Sequence, residues 1–181
     1  SKDFKLSDKG KLLEDLSAIL FYQGYPGILE CRRNLRTSSN EIDLLLCWTE
    51  NAKMAGIDRA FPFLEESFLC ECKNYKKSVD VTYVGKFFSL LHVARCKTGI
   101  MIAWNGIAGR SKWSDANGLI RKIALRDNTY IIPIGKDDFK SIYEQKTNIF
   151  SIIRDKYLAL QNEIDYSEYV QHHELESDFK K

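Results

Sequence analysis

Two acids and a lysine stand where they could act together. In Phe68-Leu69-Cys70-Glu71-Cys72-Lys73 an apolar run ends in a Glu-x-Lys pair. In Asn40-Glu41-Ile42-Asp43-Leu44-Leu45-Leu46 two acids open another very apolar run. If both runs are strands, alternation puts Glu71 and Lys73 on one face and Cys70 and Cys72 on the other. An unpaired charge at the end of a buried strand is costly, so a partner or a metal is expected beside it. If the strands are neighbours, Asp43 and Glu71 can meet. A pair of carboxylates can hold a divalent cation, and hard oxygen donors suit Mg²⁺, with Mn²⁺ as a substitute. The backbone carbonyl of Cys72 is a further ligand candidate. An adjacent lysine can orient or help deprotonate an attacking water and offset negative charge in the transition state. Cation, activated water and positive side chain together meet the needs of phosphodiester hydrolysis.

The elements that must position these residues are legible in outline. A helix is predicted from about Leu6 to Tyr22, with Ser7 as N-cap and Leu12, Leu13, Leu16, Ile19 and Leu20 as its apolar stripe; Gly24, Pro26 and Gly27 then end it. Ile28 to Arg32 and Glu41 to Trp48 read as neighbouring strands separated by the turn segment Asn34 to Asn40. Residues 49 to 64 lack a sustained period and read as a long connection with one short helical turn. Phe68 to Lys73 is the next strand. Val84, Phe87, Phe88 and Leu91 then repeat at the spacing of a core-facing helix, followed by a strand at Gly99 to Ala103. A loop at Asn105 to Lys112 leads to a helix near Ser114 to Arg126, a strand at Tyr130 to Ile134 and a helical region from about Asp137 to Leu160. An antiparallel start followed by strand-helix-strand units implies an α/β fold with a mixed sheet flanked by helices.

Length and composition narrow the class. With 181 residues, 44% of them hydrophobic, one sizeable core is expected but not two. We therefore expect a single domain over residues 1–160 and a polar tail over 161–181. No apolar run approaches the ~20 residues that span a bilayer, and the start does not have the pattern of a signal peptide; the expected location is the cytoplasm. Five cysteines, none in C-x-x-C spacing, point to small buried hydrophobes rather than a zinc or redox motif. A net charge of +2 is too mild to mark a nucleic-acid binder by itself.

With those residues in view, the chain resembles the PD-(D/E)xK nuclease superfamily, most closely Mrr-type restriction nucleases and archaeal-type Holliday junction resolvases. The likeness runs from Lys11 to Gly109 through Leu13-Glu14, Gly24-Tyr25, Asn40-Glu41-Ile42-Asp43, Glu71-Cys72-Lys73-Asn74 and Thr98-Gly99-Ile100. It implies a restriction-endonuclease-like core of helix, three strands, helix and strand. Asp43 and Glu71 then correspond to the two metal-binding acids, Lys73 to the catalytic lysine, and Glu14 to an acid on the first helix. The chain departs from many relatives in having Asn40 where they have Gly, in lacking a Pro before Asp43, and in having Glu71 where many Mrr-type members carry Gln.

The resemblance implies a metal-dependent DNA endonuclease; the competing reading is a catalytically silent DNA-binding or scaffold module on the same fold. Glu14 and Glu41 are auxiliary candidates, each also readable as an exposed acid. Lys76, Lys77, Lys86, Arg110 and Lys112 are candidate phosphate contacts, which would give affinity and position without sequence readout. His92 reads as a packing or surface residue. Cutting both strands usually needs two active sites, so a homodimer is expected, and a sensor or recognition domain outside these residues is compatible with the pattern.

Overall fold

The computed structural model describes residues 6–36, 41–109 and 115–162, with side chains from residue 9 onward. A five-stranded sheet in the order β1-β2-β3-β4-β5 forms the centre. Its strands are Leu29–Arg36, Glu41–Trp48, Ser67–Lys73, Thr98–Ala103 and Tyr130–Ile134. β1, β2 and β3 form an antiparallel meander, whereas β3, β4 and β5 run parallel. Parallel neighbours need crossovers, and the helices α3 (Val81–Ala94) and α4 (Asp115–Asp127) supply them.

Two apolar layers sandwich the sheet. Leu44, Leu46, Phe68, Cys70, Ile100 and Ile132 pack on one face with α1 (Leu6–Ala18) and α6 (Ile149–Gln161). Leu69, Met101 and Ile131 pack on the other beneath α3 and α4. Gly99 sets how closely α3 lies on β4. A Cβ there would stand 2.6 Å from Phe87 Cζ and 2.7 Å from Leu91 Cδ2, closer than carbon atoms approach.

The structure corrects several expectations. α1 already contains Leu6 and Ser7, so Ser7 is not its N-cap. Its buried face is Leu13, Ser17 and, in the π-helical turn Ile19–Gln23, Phe21; Leu12, Leu16 and Ile19 are exposed. Ser17 can occupy the core because its hydroxyl donates to the Leu13 carbonyl at 2.6 Å and accepts from Cys72 Sγ at 3.5 Å. β1 runs on to Arg36, because pairing with β2 extends it through residues with no apolar pattern. The connection before β3 holds three short helical pieces rather than one: α2 (Glu50–Met54), capped by Thr49, and 3-10 turns at Asp58–Ala60 and Pro62–Leu64. The final helical region is two helices, α5 (Lys136–Tyr143) and α6. Asn148 at the join caps α6 by accepting from Ser151 N. The tail from residue 163 lies outside the described residues.

Candidate active site

The pairing of β1 with β2 breaks at one place. It runs from Leu29↔Trp48 to Arg33↔Leu44, skips Asn34 and Asp43, and resumes at Leu35↔Ile42 and Arg36↔Glu41. Asn34 has φ 50°, a left-handed conformation that Asn tolerates better than most side chains. The side chains change faces across the break. Leu44, Leu46 and Trp48 belong to the α1–α6 layer, whereas Ile42 packs with Leu35 in the α3–α4 layer.

The neighbouring ladder ends at the same level. β2 pairs with β3 from Cys47↔Ser67 to Leu44↔Cys70 and no further. Instead of continuing it, the Asp43 carboxylate reaches across and accepts the backbone N–H of Cys72 at 2.7 Å. The N–H and C=O of one strand residue leave on the same side, so the Cys72 carbonyl also faces β2. The Lys73 carbonyl faces the other way, accepting the Trp104 N–H at 3.2 Å.

Asp43, Glu71 and Lys73 therefore converge. Lys73 is ion-paired with Glu71, and its ammonium lies 3.9 Å from Asp43 Oδ2. The three side chains keep only 14–18% of their accessible surface, so solvent screens them weakly. Burial and then the Asp43 charge push the Glu71 carboxyl above its ordinary range, and the attraction of Lys73 does not compensate. For Lys73, burial works toward the neutral amine, but Glu71 and Asp43 together outweigh it and hold the ammonium above its usual pKa. The pair thus contains one carboxylate too many for the single cation beside it.

Glu14 joins from the other side of the sheet edge. It is half-buried on α1, and its carboxyl is pushed up by burial and then by Asp43, with Arg33 and Lys73 opposing. Arg33, which the sequence pattern did not single out, pairs with Asp15 at 2.5 Å and ties β1 to α1 beside Glu14. Glu41 is exposed opposite Arg36. Lys76, Lys77 and Lys86 are exposed, the last lying over the Tyr83 ring at 5.8 Å. His92 is exposed as well, and Arg110 and Lys112 lie outside the described residues.

Among the described residues, no group of three or more His, Cys, Asp and Glu side chains is arranged to hold a metal ion. Two carboxylates and a backbone carbonyl are nonetheless the hard oxygen donors that Mg²⁺ uses when waters and substrate complete its shell. The excess negative charge at Glu71 is the electrostatic condition a cation would relieve. The donor set therefore fits.

Residues 9–132 match the restriction endonuclease family model for the Mrr catalytic domain. The chain belongs to this family. Its five-stranded mixed sheet with flanking helices is the restriction-endonuclease-like fold, and the family places it in the PD-(D/E)xK superfamily. Comparison with the curated proteins and with the solved structures found no match. The Mrr-type domain is a nuclease-type endonuclease domain, for which DNA is the implied substrate and divalent metal the usual requirement. Glu14, Asp43, Glu71 and Lys73 all fall inside the Mrr-type match, whereas α5 and α6 fall beyond it. No helix of the described residues is long and apolar enough to cross a membrane.

Proposed function

We propose that the protein is a metal-dependent DNA endonuclease in which Asp43, Glu71 and the Cys72 carbonyl hold Mg²⁺ and Lys73 positions the attacking water. The observation that carries this reading is the Asp43–Cys72 hydrogen bond, which brings the acid of one strand against the Glu-x-Lys of the next. When bound, the cation would neutralise charge on the scissile phosphate and lower the pKa of water. The Cys72 N–H donates to the Asp43 carboxylate and orients it. Lys73, paired with Glu71 and close to Asp43, orients or helps deprotonate the attacking water and offsets negative charge in the transition state. Glu14 extends the acidic edge toward α1. Lys76 and Lys77, following β3, and Lys86 on α3 supply phosphate contacts. A homodimer would place two such centres on a duplex.

Incubation with supercoiled plasmid and Mg²⁺ or Mn²⁺ tests the proposal. Nicked or linear product is expected, and Asp43→Ala or Lys73→Ala should remove it. Absence of cleavage in the unaltered protein, or activity untouched by both substitutions, would sink it.

A further inference from the structure

The carboxyl edge of the sheet holds a concavity at the ends of β4 and β5. β3, β4 and β5 run parallel, so Lys73, Ala103 and Ile134 end side by side. Open α/β sheets place ligands at such strand ends. A cavity of about 390 Å³ opens between the loop after β4, Asn117 on α4 and the start of α5. Its volume lies in the range of small-molecule sites, roughly 300–1,000 Å³. Trp104 forms one wall, braced by the Phe139 ring at 5.8 Å. The backbone N–H of Trp104 donates to the Lys73 carbonyl, so this wall begins one strand away from the end of β3, although the side chains of Asp43, Glu71 and Lys73 do not line the cavity.

The charges lining the cavity balance. Lys156 Nζ donates to Asp138 Oδ2 and to the Pro133 carbonyl, both at 2.7 Å, and the Gly135 N–H donates to the same Asp138 oxygen at 2.7 Å. Lys136 and Asp137 add one charge of each sign. A cavity with as many aspartates as lysines does not concentrate phosphate, which is drawn by uncompensated positive charge. A tryptophan and an asparagine in one lining suit a flat neutral heterocycle, stacked on the ring and hydrogen-bonded at its edge.

We propose that this cavity receives a nucleobase turned out of the DNA strand beside the phosphate held at Asp43, Glu71 and Lys73. The strand and its phosphate come from the endonuclease reading; the affinity of the cavity for a base does not depend on catalysis. Its far wall, Ile134 to Asp138 with Lys156, lies beyond the family match.

The test separates the two readings. The ¹⁵N-labelled protein, without divalent metal, is titrated with each of the four deoxynucleosides and, separately, with inorganic phosphate. The indole N–H resonance of Trp104, assigned by its loss in Trp104→Phe, is followed. At least one deoxynucleoside should shift it saturably, and phosphate should not. Because stacking on an aromatic ring contributes about a tenfold or greater factor in affinity, Trp104→Ala, followed at the backbone amide resonances of Gly106 and Gly135 that line the same cavity, should weaken nucleoside binding about tenfold, with Trp104→Phe retaining most of it. Asn117→Leu, followed at the intact Trp104 resonance, should weaken it independently of the ring. A resonance unmoved by every deoxynucleoside, or moved only by phosphate, would overturn the proposal, even if plasmid cleavage proceeds. Nucleoside shifts in a protein that cuts no DNA would uphold the cavity and overturn the endonuclease reading.

Discussion

Replacing Asp43 should separate its structural task from its chemical one. Its carboxylate accepts from the Cys72 N–H at 2.7 Å, is attracted to Lys73 at 3.9 Å, and is repelled by Glu71 and by Glu14. At that distance and an effective dielectric of about 20, the attraction alone is about 4 kcal/mol. Glu71 is bound to the same ammonium, so its repulsion largely cancels this gain, and the hydrogen bond decides the net effect. A bond from a backbone N–H to a carboxylate contributes about 1.5–3 kcal/mol. Asp43→Ala should therefore lose about that much. For a domain of this size the loss lowers the melting temperature by about 3–12 °C. Asp43→Asn keeps an acceptor for the Cys72 N–H and should stay within about 1 kcal/mol of the parent. Thermal unfolding followed by circular dichroism in EDTA measures both, and plasmid cleavage with Mg²⁺ should be lost in both. An Asp43→Ala protein as stable as the parent, or an Asp43→Asn protein as destabilised as the alanine variant, would refute the account of the hydrogen bond.

Lys73→Met should reduce cleavage at least about a hundredfold while leaving the rise in melting temperature caused by Mn²⁺, because the lysine is not a ligand; calorimetry with and without the ion checks this. Lys156 is held below its ordinary pKa by burial, against the pull of Asp138. Its folded pKa being depressed, its contribution to stability is fully present above the unfolded value and falls as pH drops through the folded one. The melting temperature of the parent minus that of Lys156→Met should therefore increase as the pH is raised from neutrality toward the ordinary lysine range. Near neutrality Lys156→Met should also cost about 3 kcal/mol, since it strips the half-enclosed Asp138 of its cation. Gly99→Ala should cost about 1–3 kcal/mol by forcing Phe87 and Leu91 off β4, measurable by urea denaturation.

Legibility in the sequence followed the source of each feature. β2 has the predicted limits and β3 begins one residue early, because alternating apolar residues bounded by polar ones are a local signal. The acid-acid-lysine cluster was readable for the same reason, since strand alternation and adjacency bring the three together. α1 was misread because two overlapping apolar stripes compete on it. The longer one, through Leu12, Leu16 and Ile19, is exposed, while the buried one includes a serine whose hydroxyl is satisfied within the fold. The extension of β1 to Arg36 depends on its partner strand, and no local pattern announces it. Neither the Asp43–Cys72 bond nor the Lys156–Asp138 pair could be read directly, because each joins residues distant in sequence through orientation rather than residue type.

The interruption in the β1–β2 ladder also separates two kinds of sequence freedom. On its core side, side-chain alternation ties each position to a fixed layer, and a shift of one residue would send every apolar group to the wrong face. Beyond Asn34 and Asp43 the alternation starts afresh, with Leu35 and Ile42 docking on the opposite layer. Asp43 thus stands where the two patterns meet, tied to β3 by its bond from the Cys72 N–H.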